Sequence, residues 1–198
     1  MKPIIFSGEM VRAILDGRKS QTRRIVKPQP EYGISECHWS ETGWALDGGP
    51  NEHGVSGCTC RPVRCPYGRS DCLWVRETFA TGISGCPGGV TYRADHIDPN
   101  GDGPANPIKW RPSIFMPRWA SRLTLQVTAV RVERLQEISD RDVWHEGIRD
   151  GQSYDFSGLT KGAGRRAFRP LWDSVNGKRG YHFDSNPFVW VVSFEESA

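Results

Sequence analysis

No stretch of this 198-residue chain approaches the roughly 18 consecutive apolar residues that a membrane-crossing helix needs, so no span is expected. The N-terminus lacks the long apolar run of a secretory leader, which leads us to expect a protein that stays in the cytosol. Internal repeats and heptads are absent, so neither a repeat array nor a coiled coil is expected. Neither standard Gly-rich phosphate loop occurs, and Ser20 with His145 or His182 does not compose a Ser-His-Asp triad. Protease, kinase and NTPase chemistry are therefore set aside. One-sided charge is missing too: the net value of +3 is too small to argue for nucleic acid by itself.

What is present is glycine, proline and tryptophan. The 22 Gly and 14 Pro with 37% hydrophobic residues describe a loop-rich protein, and eight Trp exceed what a core of this size needs, which points some of them to a binding surface. The length fits one domain over residues 1–198 with insertions better than two full domains. Charge is unevenly spread. Lys2, Arg12, Arg18, Lys19, Arg23, Arg24 and Lys27 face only Glu9 and Asp16 in residues 1–27, and Lys161, Arg165, Arg166 and Arg169 have no acid among residues 161–169. Either these are solvated faces or they form a surface for phosphates or an anionic substrate.

The stretch Asp16 to Lys27 organises the rest. Met10, Val11, Ile14 and Leu15 recur at the spacing of one helical face, Ser7 can cap the start, and Gly17 suits the left-handed residue past the end. Lys19 then leaves the helix on a tight turn. Thr22 to Val26 can be extended, with Thr22, Arg24 and Val26 on one face and Arg23 and Ile25 on the other.

The spacing Gly17-x-Lys19-x-x-Thr22-x-Arg24 resembles the signature of ASCH domains, small β-barrels of the PUA-like superfamily, in which Gly-x-Lys-x-x-Glu-x-Arg follows the first helix. Thr22 stands where many members carry Glu, and a bacterial ASCH branch that hydrolyses N4-acetylcytidine likewise has Gly-Arg-Lys-x-x-Thr at this place. Further stretches look like those of ASCH proteins of tailed phages and prophages: Cys65-Pro66-Tyr67-Gly68, Leu73-Trp74-Val75-Arg76-Glu77, Trp110-Arg111-Pro112-Ser113 and Asn186-Pro187-Phe188-Val189-Trp190. The resemblance covers most of the chain. It implies an α+β protein, a PUA-like β-barrel with short helices, here carrying a long irregular insertion, in the cytoplasm of a bacterial host.

Along the chain, Lys2 to Phe6 reads as a first strand. Residues 28–70 hold so many Gly and Pro that no helical period survives, and we expect an irregular insertion. Cys58, Cys60 and Cys65, with Cys37, His38 or His53 as a fourth ligand, could hold a structural zinc there, or remain thiols; no other cofactor is required. Cys72 to Phe79 and Tyr92 to Asp95 read as strands, Pro117 to Ser121 as a helical turn, and Leu123 to Val132 as the longest and most central strand. Ser139-Asp140-Arg141-Asp142 opens a short helix that Gly147 ends. Phe168, Leu171, Trp172 and Val175 mark a third helix with Pro170 in its first turn or at a kink, and Phe188 to Phe194 is a last strand.

Two functional readings follow from the same pocket. The first is a module binding RNA, a nucleotide or a modified nucleoside through Arg18, Lys19, Arg23 and Arg24, with Trp74, Tyr92, Trp110 and Trp119 as stacking planes. Arg76 and Glu77 either pair with each other or contribute to the same pocket. The second is an amidohydrolase of N4-acylated cytidine, in which the resemblance implies Lys19, Thr22 and Glu146 as the catalytic set. A threonine hydroxyl needs a base to take its proton, and a lysine serves only if burial or neighbouring cations lower its pKa. A ribonuclease is a further possibility, since some ASCH members resemble ribonucleases; a phage assembly role has no support in the residues.

Overall fold

In the computed structural model, residues 1–30, 34–40, 43–48, 65–82, 86–96, 108–148 and 163–197 are described. The elements in chain order are β1 (Lys2–Ile5), α1 (Gly8–Leu15), β2 (Gln21–Ile25), β3 (Ile34–Ser40), β4 (Gly43–Gly48), β5 (Cys72–Arg76), β6 (Phe79–Thr81), β7 (Val90–Tyr92), β8 (Thr124–Arg134), α2 (Asp140–His145), α3 (Ala163–Asn176) and β9 (Phe188–Glu196), with single 3₁₀ turns between several of them. The protein is α+β, with short helices and a mixed five-stranded sheet in the order β1-β5-β8-β9-β2. The longest strand pattern of the sequence, β8, is the middle strand of this sheet.

Contacts divide the chain into two compact units, Met1–Lys19 with Asp71–Gln126 and Glu195–Ala198, and Ser20–Ser70 with Val127–Phe194. In the first, β1 runs parallel to β5 with Lys2 opposite Leu73 and Ile5 opposite Arg76. The start of β8 lies antiparallel to β5, Leu125 opposite Leu73. Leu73, Val75 and Leu125 are buried, as their period-two spacing requires. Ser7 caps α1, its hydroxyl accepting from the Met10 N–H, and Val11, Ala13 and Ile14 are buried while Leu15 is exposed. The apolar stripe therefore ends one residue earlier than its spacing predicts. Phe79, Val90, Met116 and Ala120 form a small core beneath the β6–β7 hairpin. Where a strand was expected at Tyr92 to Asp95, β7 stops at Tyr92 and Arg93–Asp95 is a 3₁₀ turn, held by the Arg93 N–H donating to the Thr78 carbonyl at 2.9 Å.

In the second unit β2 is antiparallel to β9, Thr22 opposite Val192 and Arg24 opposite Trp190. Residues 188–192 of β9 are all buried, so both of its faces are covered, which is what a continuous apolar run signals. Leu135, Ile138, Val143, Phe168, Trp172, Phe183, Val189 and Val191 make one core cluster that α2 and α3 close. α2 begins with the reciprocal cap foreseen from Ser139 and Asp142, each bonding the other's backbone N–H. Gly164 permits the close approach of the two helices: a Cβ there would sit 2.7 Å from the Asp140 carboxylate and 3.1 Å from its Cα. α3 starts well before Pro170, which lies mid-helix rather than in the first turn, and Val175 is half-exposed.

Two further expectations are corrected. The span 28–70 is not irregular throughout, because β3 and β4 pair as an antiparallel hairpin in which Trp39 lies opposite Trp44. In β8, expected as a strand over Leu123 to Val132, the buried parity runs through Leu125 and Val127 but passes to Val130, so a strict period of two breaks after Val127.

Candidate functional site

Gly17 adopts φ +68°, a conformation that L side chains rarely take, and this lets the chain leave α1 abruptly. The Gly17 N–H donates to the Ile14 carbonyl at 2.8 Å, and the Arg18 and Lys19 N–H groups both donate to the Ala13 carbonyl at 2.8 and 2.9 Å. The turn predicted from the spacing is formed. Arg18 bonds Asp16 at 2.7 Å, so its charge is partly spent locally. Lys19, in the first unit, is buried with its ammonium 5.6 Å from the centre of the Phe6 ring.

The second unit holds the other residues of this stretch, and β2 sends them to two faces. Gln21 and Arg23 share one face. The Arg23 guanidinium donates through Nε to Glu133 at 2.9 Å, and through Nη1 to Gln21 at 2.9 Å and to Glu146 at 3.0 Å. Asp142 lies 3.5 Å away, and the Phe168 ring centre is 5.9 Å from Arg23 Cζ. One buried cation thus meets three carboxylates. Burial alone would push Asp142 up, but the Ser139 hydroxyl and N–H together with Arg23 and Arg131 outweigh it and hold that carboxyl below its ordinary value. On the other face, the half-buried Arg24 donates to the Thr22 hydroxyl at 2.7 Å. Further along, Lys27 is exposed and sits 5.6 Å from the Tyr181 ring centre.

The three residues expected to be catalytic are all buried, Lys19 at 3% exposure, Thr22 at 1% and Glu146 at 5%. Glu146 is brought to Arg23, and Thr22 to Arg24; Lys19 belongs to the other unit. Among the residues expected to bind substrate, Arg23 is engaged by carboxylates rather than open to an anion.

In the first unit, Arg76 and Glu77 do not pair. Consecutive residues of an extended chain point to opposite sides, and the two find different partners. Arg76 lies 4.6 Å from the Trp74 ring centre, while the buried Glu77 accepts from Arg122 at 2.8 and 3.1 Å, and Arg122 also bonds Asp95. Burial pushes the Glu77 carboxyl up against the opposing pull of Arg122. Tyr92 lies under the same guanidinium at 4.0 Å and donates its hydroxyl to the Ala120 carbonyl, and burial pushes its phenol up. Arg122 was not foreseen, since nothing in its own stretch marks it as the partner of a residue 45 positions away. Trp74 is buried, Trp110 packs edge-on against His96 at 5.3 Å, and Trp119 is 69% exposed. Of the four aromatic candidates, Trp119 alone presents most of its ring to solvent.

Two arrangements escaped the sequence. Ser20 Oγ lies 3.0 Å from His145 Nδ1, and the Ser20 N–H donates to the His145 carbonyl at 3.0 Å, so the pair set aside from sequence is in contact. Among the described residues no carboxylate pairs with His145, and the arrangement remains a dyad. The second is a cleft of about 540 Å³ beside the start of α1 that includes Arg12, Arg93 and His96. Its residues come from separate stretches, and only Arg12 stood out, through local charge.

Cys58 and Cys60 of the expected zinc set lie outside the described residues, while Cys65 is buried and, like Cys72 and Cys86, is in no disulfide. Among the described residues no group of three or more His, Cys, Asp and Glu side chains is placed to hold a metal ion, and no helix is long and apolar enough to cross a membrane. Comparison with protein-family models, with curated proteins and with solved structures finds no match to this chain.

Proposed function

We propose that the chain is an RNA- or nucleotide-binding protein of the ASCH type, with a PUA-like fold, acting in the cytoplasm of a bacterial host. The observation that carries this reading is the division of labour in β2. Arg23 is neutralised among Glu133, Asp142 and Glu146, while Arg24, on the opposite face and half-exposed, holds the Thr22 hydroxyl at 2.7 Å. A half-exposed guanidinium held in place by a buried hydroxyl is a donor suited to a phosphate or a nucleobase carbonyl. Lys27 over Tyr181 adds an exposed cation next to an aromatic ring. The turn at Gly17, which the Gly-x-Lys-x-x-Thr-x-Arg spacing calls for, supports the resemblance.

Hydrolysis of an N4-acylated cytidine is the second reading, favoured by the same bond, because a cation at 2.7 Å stabilises the alkoxide that a Thr22 nucleophile must become. The Glu146–Arg23 pair weighs against it, since that carboxylate is engaged within the protein.

Titration of a fluorescent single-stranded RNA at several salt concentrations tests the binding reading. The logarithm of the affinity is expected to fall linearly with the logarithm of salt, with a slope of about −0.7 for each phosphate contacted. Absence of binding at low salt sinks it. Cytidine released from N4-acetylcytidine by the wild type, and not by Thr22→Val, would favour the second reading instead.

A further inference from the structure

The cleft at the start of α1 is built of groups that the reading above does not use. Arg12 leaves the second turn of α1, and its Nη1 donates to the Ala94 carbonyl at 2.9 Å, which fixes the guanidinium against the cleft wall. Arg93 comes from the 3₁₀ turn tied to Thr78 by the bond described above. His96 is set by a 2.8 Å hydrogen bond between its Nε2 and the Thr91 hydroxyl and by the edge of Trp110. Ser7 and Thr78 add hydroxyls, and Glu9 adds one carboxylate.

Neither Arg12 nor Arg93 forms an ion pair among the described residues, and Asp95, the nearest acid in sequence to Arg93, is taken by Arg122. Against these two guanidiniums the described lining of the cleft sets the single carboxylate of Glu9, so positive charge is in excess there, and an anion that accepts their N–H groups offsets it. A volume of about 540 Å³ is far more than a bare inorganic ion fills and suits a mononucleotide-sized ligand. Glu9 accepts hydrogen bonds and repels a second anionic group, so it selects a ligand that carries hydroxyls or an amine beside its phosphate.

We propose that this cleft binds the phosphate monoester of a nucleoside, either a free 5′-mononucleotide or the 5′-phosphate end of an RNA strand. Arg12 and Arg93 take the phosphate, with the Ser7 and Thr78 hydroxyls as further donors, and Glu9 takes sugar hydroxyls or a base amine. The site stands on its own residues and does not require binding at Arg24.

Isothermal titration of the full chain with adenosine 5′-monophosphate, adenosine and inorganic phosphate tests it, along with 5′-phosphorylated and 5′-hydroxyl forms of one short RNA. The mononucleotide is expected to bind more tightly than phosphate or adenosine. Arg93→Ala, an exposed position, should weaken it about tenfold or more with the fold intact by circular dichroism. Glu9→Gln should weaken the mononucleotide relative to phosphate, narrowing the preference between them. A preference for the 5′-phosphorylated RNA over its 5′-hydroxyl form that Arg93→Ala abolishes identifies the strand end as the source, and binding of the mononucleotide without that preference identifies the free nucleotide. No mononucleotide binding, equal affinity for phosphate and mononucleotide, or affinity unchanged in both Arg93→Ala and Arg12→Ala overturns the proposal. Arg93→Ala, whose residue lines this cleft, should leave binding of the 5′-hydroxyl RNA unchanged, so the fate of this site is read separately from that of the β2 site.

Discussion

Arg23 is held by more partners than any solvent-facing arginine needs, and this decides what its loss does. Removing the guanidinium leaves Glu133, Asp142 and Glu146 close together without a cation, and breaking a buried pair of this kind costs roughly 3–5 kcal/mol. Arg23→Ala should therefore lower the urea midpoint of unfolding steeply, and Arg23→Lys only in part, because an ammonium cannot reproduce the fork of bonds. The two perturbed carboxyls give opposite pH slopes. Asp142, depressed in the folded state, contributes stability above its ordinary value of 3.8 that is lost as pH falls through the lower folded value. Glu77 is raised, so its contribution is fully present below its ordinary 4.5 and is lost as pH rises through the higher folded value. Urea unfolding across about pH 2 to 7 should show a shallower acid-side slope in Asp142→Asn and a flatter slope above about pH 4.5 in Glu77→Gln. Unchanged profiles in both variants would contradict these assignments.

At the scale of elements, the short helix α2 matters beyond its six residues, since it supplies Asp142 and, at its end, Glu146 to Arg23. Its start rests on the reciprocal bonds of Ser139 and Asp142. Ser139→Ala should cost about 1 kcal/mol by thermal or chemical unfolding, and it should also raise the Asp142 pKa, because the hydroxyl is one of the groups that depress it. Caps and strand runs are legible in the chain itself: Ser7 on α1, Ser139 on α2, the length of β8 and the apolar run of β9 each lie where local chemistry puts them. The elements that were misread share a cause, which is that tertiary contacts override local pattern. The Arg93–Asp95 turn follows from a backbone bond to Thr78, and the parity of β8 passes to Val130. Backbone pairing in the β3–β4 hairpin likewise survives the Gly- and Pro-rich composition around it.

At the scale of the whole molecule, the class and the sheet's central strand could be read from the chain, whereas the partners within the candidate site could not. Spacing alone placed Thr22 and Arg24 on one face of β2, and they are bonded there. It did not reveal that Arg23 is consumed by carboxylates from residues 133, 142 and 146, because ion-pair partners more than 100 positions apart leave no local trace. The same holds for Arg122 with Glu77 and for the cleft of Arg12 and Arg93. The account's central claim is that neighbouring arginines in β2 do different work, one holding the fold and the other meeting the ligand. Measuring both the urea midpoint and the affinity for single-stranded RNA in Arg23→Ala and in Arg24→Ala tests it most directly. The account predicts a large drop in midpoint for Arg23→Ala, and for Arg24→Ala a near-native midpoint with affinity reduced about tenfold. Native RNA affinity in Arg24→Ala, or a native midpoint in Arg23→Ala, would contradict it.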